Sequence, residues 1–324
     1  MSSSAFITGI RGFAGSYLCH ELLARGLSVS GLDRPAPDGG NSNPAPLPLP
    51  RPGLPEISQA QMDGVRLFAS DMSSIEELAQ ILSEAQPAFI YHLAGSAFVP
   101  DSWKSPAGTL ENNVLFTLNL LQAARSIGWQ GRVLFISSSD VYGTPTPDEL
   151  PLTEASPIRT ESPYALSKYT AEEFARYYNQ DGIEVLVARP FNHIGPGQRS
   201  DFVVPSFLER IRAAIASGES KIRVGEMEAV RDFTDVRDVV KAYALLMERG
   251  EPGGVYNICS GDPRRIGDIL ELAIKASGHS VRYEVDPALL RKEGANQRYG
   301  DCGAIHALGW KPERTLAETI ADMY

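Results

Sequence analysis

The feature that most constrains the fold of this chain is a glycine-rich turn that joins an apolar run to a helical pattern near the amino terminus. The apolar run is Ala5–Thr8, and the glycines that follow it have the spacing G-x-x-G-x-x-G. Glycine lets a backbone turn sharply and approach a pyrophosphate, and the amino terminus of the next helix favours negative charge. The turn therefore predicts a dinucleotide-binding unit. Its candidate cofactor contacts are Gly9, Arg11, Gly12, Phe13, Ala14 and Gly15.

Short apolar runs alternate with helical patterns through the first half of the chain. Such runs are typical of buried parallel strands, so the alternation predicts an α/β fold with a Rossmann-type doubly wound parallel sheet. The predicted strands are Ala5–Thr8, Ser28–Leu32, Arg66–Ala69, Phe89–Leu93, Arg132–Ser137 and Glu184–Arg189. The predicted helices are Tyr17–Arg25, Ile75–Ala85, Leu110–Ile127 and Tyr164–Asp181, the last with Ser162 as its cap and Pro163 in its first turn.

The regular alternation weakens after about Gly195, where helical patterns mix with short strands. We expect a smaller α+β substrate-binding lobe over the carboxyl edge of the sheet, where doubly wound folds bind ligands. Residues 1–195 would then form the NAD(P)-binding domain and 196–324 mainly the lobe, with the chain crossing back between them. The segments assigned to the lobe are helices Val204–Ser217, Val236–Glu248 and Ile266–Ser277 and strands Ile222–Val224, Val255–Ile258 and Val281–Glu284.

A proline-rich segment interrupts the pattern between Pro35 and Pro55, with eight prolines in that range. Proline cannot donate to a β-ladder, so no strand can run through it. We interpret it as an extended surface insertion, and the alternative is a polyproline recognition segment.

Charge and cysteine content exclude several functional classes. The chain has 324 residues with 40 acidic and 30 basic side chains, a formal net charge of −10. Nucleic acid and anionic membranes require basic surfaces, so neither is an expected partner. The odd number of cysteines, without metal-ligand spacing, fits buried thiols in a reducing cytosol, and we expect no metal site. No signal peptide and no apolar run of about 20 residues is present, so we expect a cytoplasmic protein.

A tyrosine and a lysine stand four residues apart at Tyr164 and Lys168. Positions i and i+4 share a helix face. An ammonium about 4 Å from a phenolate contributes roughly 4 kcal/mol at an intermediate dielectric, enough to bring a tyrosine pKa from about 10 toward neutral. Alone, such a pair is typical of an exposed helix face. With the glycine turn upstream, it predicts hydride and proton transfer on a carbinol, with Tyr164 moving the proton.

Three consecutive serines, Ser137, Ser138 and Ser139, close the fifth predicted strand. A hydroxyl at this position would polarise a substrate carbonyl oxygen. Spacing alone does not choose among the three.

Further candidate cofactor contacts follow the next strands: Asp33, Arg34, Asp71, Met72, Leu93, Ala94 and Gly95. The Asp33 carboxylate would accept hydrogen bonds from the adenosine ribose and would repel a 2′-phosphate, which gives a slight preference for NAD(H). Arg34 and Arg11 would counter that repulsion, so the choice between NAD(H) and NADP(H) stays open. His92, just before this edge, is interpreted as a core histidine.

Two arginines in the second half are candidate anion clamps, Arg231 and Arg291. A guanidinium binds phosphate oxygens in a fork, although either residue taken alone is more often part of a surface ion pair; both lie in the lobe that should cover a nucleotide.

The order of these motifs resembles the extended short-chain dehydrogenase/reductase family of nucleotide-sugar reductases, dehydratases and epimerases, and within it the branch that acts on GDP-mannose derivatives. The motifs that carry the resemblance are the glycine turn, Ser137–Gly143, Tyr164-x-x-x-Lys168, Arg189–Gln198, Glu228–Asp238, Tyr256–Gly261 and Leu308–Pro312. Two positions depart from the family pattern: Phe116 stands where a glycine is common, and Gly294 stands where an acidic residue is common.

The resemblance implies roles for individual residues. Tyr164 would be the acid, Lys168 would hold the nicotinamide ribose, and Ser138 would take the family's Ser/Thr position. The implied contacts to the sugar nucleotide are Ser139, Asp140, Asn192, Arg231 and Arg291. The resemblance also implies a homodimer formed through the helices near 113–127 and 164–181.

The implied reaction is NAD(P)H-dependent reduction of the C4 ketone of GDP-4-keto-6-deoxy-D-mannose to GDP-D-rhamnose. The alternatives are a GDP-mannose 4,6-dehydratase or another epimerase or dehydratase of this type. A dehydratase needs a further acid/base, and Asp140 stands where that branch has a glutamate. A non-enzymatic NAD(P) sensor of this fold typically loses the tyrosine or the lysine, whereas this chain keeps both.

Overall fold

The computed structural model describes residues 4–35, 58–179, 182–290 and 296–324. The strands are β1 (Ser4–Thr8), β2 (Ser28–Asp33), β3 (Arg66–Ala69), β4 (Phe89–His92), β5 (Gly131–Ile136), β6 (Ile183–Pro190), β7 (Asn192–Ile194), β8 (Lys221–Val224), β9 (Val230–Arg231), β10 (Phe233–Asp235), β11 (Val255–Ile258), β12 (Arg264–Arg265), β13 (Arg282–Val285) and β14 (Gln297–Arg298).

The α-helices are α1 (Phe13–Ala24), α2 (Gln59–Asp63), α3 (Ile75–Ala85), α4 (Val99–Lys104), α5 (Pro106–Leu110), α6 (Phe116–Ser126), α7 (Pro163–Tyr177), α8 (Val203–Ser217), α9 (Val236–Arg249), α10 (Ile266–Ser277), α11 (Gly303–Ala307) and α12 (Leu316–Met323). Short 3₁₀ segments span Ser139–Tyr142, Pro147–Glu149 and Pro287–Leu289.

Within the described residues, seven strands form one parallel sheet in the order β11-β6-β5-β4-β1-β2-β3. Apolar side chains of α1 and α9 pack on one face, and those of α3, α6 and α7 pack on the other. The doubly wound Rossmann-type sheet predicted from the alternation is confirmed. The strand order changes direction at β1, which places the ends of β1 and β4 beside each other at the edge where such sheets bind ligands.

Strand β11 corrects one assignment. The sequence pattern placed Val255–Ile258 in the smaller lobe, but the strand pairs in parallel with β6, with Val255 opposite Val187. Helix α9, which the pattern at Val236–Glu248 also placed in the smaller lobe, precedes it and packs against α1 on the large sheet, so this assignment is corrected too. A four-residue apolar run carries no information on which sheet it joins, because that depends on the path of the preceding helix.

The remaining elements of the second half form a smaller α+β unit. Its core joins α8, α10 and α12, and its strands pair as β8 with β13 and as the three-stranded sheet β12-β9-β14. The bounds of the two predicted domains stay a prediction. All but the first residue of the proline-rich segment lies outside the described residues.

One predicted helix is divided. The pattern at Leu110–Ile127 predicted a continuous helix, whereas α5 and α6 are separated by a π-helical turn at Glu111–Leu115. A π turn inserts one residue and rotates the side chains that follow it. Helix α7 begins as predicted, because the Ser162 side chain accepts a hydrogen bond from the Ala165 N–H and Pro163 occupies the first turn.

Candidate active site

The glycine turn has the geometry of a phosphate cradle. Gly9 has a φ of +70°, and a Cβ there would lie 3.1 Å from the Ala94 nitrogen. A Cβ on Gly15 would lie 2.1 Å from the Gly9 carbonyl oxygen, which excludes any side chain. Helix α1 then begins behind Gly12 without a side-chain cap on its first N–H groups. The residues therefore fit a bound dinucleotide, since an uncapped helix start and a close backbone favour a pyrophosphate.

The end of β2 brings carboxylates and arginines together. The Arg11 Nε lies 3.7 Å from the Asp33 carboxylate, which also accepts a hydrogen bond of 2.8 Å from the Arg34 N–H. Hydrogen bonds from Ser73 and, more weakly, the charge of Arg34 hold the pKa of Asp71 below its usual range. Both arginines that were expected to offset the repulsion of a 2′-phosphate by Asp33 therefore lie at this edge.

The end of β4 is a narrow, buried junction. His92 is a core histidine, as predicted: its ring hydrogen-bonds the hydroxyls of Thr8 and Thr117, at 2.8 Å each. Burial, aided by the charge of Lys168, lowers its pKa to about 3. A Cβ on Gly95 would lie 2.6 Å from the Asn113 amide oxygen, so the chain that follows Leu93 and Ala94 has no room for a side chain there.

Asn113 is a buried link that the sequence analysis did not assign to the site. Its amide nitrogen donates to the Ser167 hydroxyl at 2.8 Å, and its amide oxygen accepts from the Ser96 N–H at 2.7 Å. It therefore joins the loop after β4 to the helix turn between Tyr164 and Lys168. Asn113 directly follows another asparagine, Asn112, so nothing local in the sequence distinguishes the buried one, which lies in the π turn.

The three serines after β5 have different partners. The Ser137 hydroxyl donates to the Glu172 carboxylate at 2.7 Å, and Ser139 begins a buried 3₁₀ turn. The Ser138 hydroxyl lies beside the Tyr164 hydroxyl and lowers the pKa of that phenol. The structure thus brings Ser138, the position implied by the family resemblance, to the tyrosine.

The Tyr164 hydroxyl is held in its protonated form. Burial is the largest influence and, with the charge of Asp140, raises its pKa above the usual 10; the hydrogen bond from Ser138 and the charge of Arg298 act in the opposite direction. The expectation that Lys168 lowers the pKa of Tyr164 toward neutral is therefore wrong. The reason is that the phenol is buried at the edge of the sheet, where desolvation of a phenolate outweighs its neighbours.

Lys168 lies one turn further along α7 and is also buried. Burial lowers its pKa to about 8, and the carboxylate of Glu172 acts in the opposite direction. Its Nζ lies 5.0 Å from the centre of the Phe135 ring, which supplies a cation–π contact. Tyr164, Lys168 and Glu172 follow one another at intervals of four and so lie along one face of the helix.

Glu172 is the second group that the sequence analysis missed, although its i+4 spacing from Lys168 was a readable signal. Its carboxylate forms a buried bidentate ion pair with Arg189, with Nη2–Oε1 and Nε–Oε2 distances of 2.5 and 3.1 Å. Arg189 also donates to the Tyr142 hydroxyl at 3.0 Å, and that hydroxyl donates to Asn257 at 2.7 Å. This network joins α7, which carries Lys168, to strands β6 and β11 of the large sheet.

Candidate substrate contacts lie beyond the tyrosine. The Asn192 amide donates to the Asp232 carbonyl oxygen at 3.0 Å, which fixes β7 beside β10. Arg231 donates to the Asn296 backbone carbonyl at 2.8 Å and to its side chain. Asp140 forms an ion pair with Arg298, a residue that the sequence analysis did not select. Arg291 lies outside the described residues.

The described ranges contain neither a metal-binding cluster nor a membrane-spanning helix. No group of three or more His, Cys, Asp or Glu side chains could hold a metal ion. No helix is long and apolar enough to cross a bilayer.

A doubly wound sheet, a glycine cradle and a Ser138–Tyr164–Lys168 cluster at its carboxyl edge define an extended short-chain dehydrogenase/reductase. Within that class, the chain belongs to the family described as GDP-mannose 4,6 dehydratase, whose sequence model matches residues 6–323.

One named protein and two solved structures are similar to this chain over most of its length. GDP-6-deoxy-D-mannose reductase from Pseudomonas aeruginosa is 40% identical over 254 residues, which cover 77% of this chain and 83% of that protein. The solved structure of RMD from Pseudomonas aeruginosa complexed with NADPH is 33% identical, covers 99% of this chain and 97% of its own, and has a TM-score of 0.81. The UDP-glucose 4-epimerase of Thermus thermophilus in complex with NAD is 28% identical with the same coverages and a TM-score of 0.81.

Proposed function

We propose that this protein reduces the C4 ketone of GDP-4-keto-6-deoxy-D-mannose to GDP-D-rhamnose at the expense of NAD(P)H. The observation that carries the proposal is the Ser138 hydroxyl beside the Tyr164 hydroxyl with Lys168 one helical turn away, at the sheet edge beside the glycine cradle. The 40% identity to a GDP-6-deoxy-D-mannose reductase supports the substrate class.

The residues of this chain supply the proton and the polarisation. Ser138 donates a hydrogen bond to the ketone oxygen as negative charge grows there. Tyr164, protonated at neutral pH because burial raises its pKa, gives its proton to the same oxygen. Lys168 holds the ribose hydroxyls of the cofactor and stabilises the tyrosinate left behind. A bound nicotinamide cofactor would supply the hydride that reaches C4.

The cofactor and the substrate would be held at two charged edges. The glycine cradle and the first N–H groups of α1 would bind the pyrophosphate of NAD(P)H, and Leu93, Ala94 and Gly95 allow close approach. Asp33, Arg11 and Arg34 would bind the adenosine ribose, in the NAD(H) or the NADP(H) form. On the substrate side, Arg231 would bind the diphosphate of the GDP-sugar and Asn192 its sugar.

A 4,6-dehydratase is the alternative, because the matching family model carries that name. Such an enzyme needs a carboxylate that is able to take the C5 proton. Asp140 is the candidate by position, but its carboxylate is engaged by Arg298 at 2.5 Å. This contact favours the reductase.

A homodimer is the expected assembly, formed through the helices near 113–127 and 164–181. Large apolar side chains are exposed on and beside these helices: Trp103, Leu110, Leu115, Leu166, Phe174 and Tyr177. Exposed apolar patches of this kind mark protein–protein contacts.

The three cysteines are buried free thiols, which supports a reducing compartment, the cytoplasm, as the site of action.

The test is an assay with purified GDP-4-keto-6-deoxymannose in which NADH and NADPH absorbance are followed separately. We expect one reduced cofactor to be oxidised for each keto sugar consumed, and little or no water loss from GDP-mannose. Tyr164→Phe is the matched inactive control. Conversion of GDP-mannose to the keto sugar without net cofactor consumption would overturn the reductase assignment in favour of the dehydratase.

A further inference from the structure

An ion pair crosses from the smaller unit to the edge of the large sheet beside Tyr164. The Nη2 of Arg298 lies 2.5 Å from Oδ1 of Asp140, with about a fifth of each side chain exposed, 22% and 20%. Asp140 lies in the 3₁₀ turn directly after β5, two residues beyond Ser138. Arg298 lies on β14 in the second half of the chain.

Backbone contacts hold Arg298 in position from both sides. Strand β14 pairs with β9 so that Arg298 lies opposite Arg231, the candidate diphosphate clamp. On the other side, the Leu152 N–H donates to the Tyr299 carbonyl at 3.0 Å and the Asp301 N–H donates to the Leu152 carbonyl at 2.8 Å. The guanidinium therefore reaches Asp140 from a paired strand, not from a free loop.

Asp140 is equally well placed. Its backbone N–H donates to the Ser138 hydroxyl at 3.1 Å, and that hydroxyl lies beside Tyr164. The charges of Asp140 and Arg298 both act on the Tyr164 hydroxyl, in opposite directions. Lys168 from the same helix and the buried Tyr243 hydroxyl from α9 are the other ionisable groups near this hydroxyl.

We propose that Arg298 is a specificity-determining residue that engages the Asp140 carboxylate and so restricts the site to reduction of the ketone. This inference rests on the proposed function. The C5 hydrogen of the keto sugar lies next to the C4 carbonyl, so a free carboxylate could remove it as a proton to give an enolate, which would take a proton back at C5. Proton transfer to the Asp140 carboxylate would neutralise the charge that the Arg298 guanidinium pairs with, so the ion pair opposes that transfer. Loss of Arg298 releases this restriction.

The test measures exchange at C5. The keto sugar is incubated in D₂O with enzyme and oxidised cofactor, so that reduction cannot proceed, and deuterium at C5 is followed by NMR. We expect Arg298→Gln to raise the enzyme-dependent exchange rate about a hundredfold over wild type, the lower end for a positioned general base. Asp140→Asn combined with Arg298→Gln should return exchange to the wild-type level.

Arg264→Gln is the matched control, because Arg264 lies on β12 of the same small sheet and pairs with exposed Asp262. It should leave both exchange and reduction at wild-type values. Arg298→Leu replaces Arg298→Gln if the latter does not fold. A folded Arg298 variant with wild-type exchange, or exchange that persists in the double variant, overturns the inference. Wild-type enzyme that oxidises no NAD(P)H with the keto sugar instead overturns the proposed function, so the two failures are distinguishable.

Discussion

Two ion pairs lie close to the helix that carries Tyr164 and Lys168, and they differ in how much of their side chains solvent reaches. The Glu172–Arg189 pair is sealed, with side-chain exposures of 0% and 4%. The Asp140–Arg298 pair lies at the mouth of the candidate site, with about a fifth of each side chain exposed. The first is surrounded by further hydrogen bonds to Ser137 and Tyr142, whereas the second faces the Tyr164 hydroxyl. The Glu172–Arg189 pair, here called the sealed pair, stabilises the fold. The Asp140–Arg298 pair, here called the open pair, lies where it can influence proton transfer by Tyr164.

The energetic reason is desolvation. A fully buried charge whose partner is removed keeps its desolvation penalty, so breaking such a pair costs about 3–5 kcal/mol. A partly exposed pair loses less because water replaces the missing partner, and its contribution is about 0–1 kcal/mol. The comparison therefore predicts opposite consequences for stability and for activity.

The largest expected effect comes from breaking the sealed pair. Glu172→Gln leaves the Arg189 guanidinium buried without its counter-charge, and we expect a loss of about 3–5 kcal/mol in the free energy of unfolding. Denaturant unfolding followed by circular dichroism measures it. Glu149→Gln, which breaks the more exposed Arg159–Glu149 pair, is the control and should change the free energy of unfolding far less, because water replaces the lost partner.

A double variant sharpens this result. Glu172→Gln with Arg189→Met removes both charges of the pair and should recover most of the lost stability, because the Arg189 guanidinium is no longer buried without its partner. If Glu172→Gln alone unfolds no more easily than Glu149→Gln, the pair is not sealed in solution.

The second prediction concerns Lys168, whose burial makes it a stability cost. Its pKa is lowered to about 8 from the ordinary value of 10.5, so Lys168→Met should stabilise the fold by about 3 kcal/mol at pH 7 while abolishing turnover. Between pH 8 and 10.5 the unfolded state binds more protons at this position, so wild-type stability from this group rises with pH. The gain from Lys168→Met should shrink across that window. A gain that does not change with pH would mean that packing, not charge burial, is the cause.

How much of this was readable from the sequence depends on the range of each interaction. The bounds of Arg66–Ala69 and Ile75–Ala85 were predicted to the residue, because the apolar periodicity that fixes them lies within the segment. The glycine cradle and the Tyr164–Lys168 pair were also readable, since one turn of backbone or helix brings those groups together. The partner of Asp140 was not, because Arg298 reaches it only through the pairing of β14 with β9.

The same limit applies to the fold. The sheet membership of Val255–Ile258 depends on the path of α9, and the burial of Asn113, within the π turn at Glu111–Leu115, depends on its partner Ser167 on another helix. Neither has a local signature in the sequence. Polar groups whose partners lie far along the chain are therefore the part of the site that needs a structure.

The third prediction tests the Tyr164 hydroxyl, which lies beside the open pair Asp140–Arg298. Tyr164→Phe removes the hydroxyl that Ser138 and the Asp140–Arg298 pair act on, and turnover should fall at least about a hundredfold, the usual effect of a positioned acid. Cofactor affinity, measured by fluorescence titration, should change little because Lys168 stays. Turnover near the wild-type value would mean that another group delivers the proton, and the contrast between the two ion pairs would lose its functional half.

The smallest effect is expected at a third ion pair, Arg11–Asp33, where the side chains are 22% and 27% exposed. By the same comparison this open pair should tune binding and contribute little to stability. Asp33→Ala removes the negative charge that repels a 2′-phosphate while Arg11 and Arg34 stay. We expect the NADH dissociation constant divided by that of NADPH to rise about tenfold, which is about 1.4 kcal/mol in favour of NADPH. The free energy of unfolding should change by less than about 1 kcal/mol. Fluorescence titration with each cofactor measures the ratio, and Arg34→Gln should move it in the opposite direction. An unchanged ratio in Asp33→Ala would show that the carboxylate, already held by the Arg34 N–H and facing Arg11, does not read the ribose.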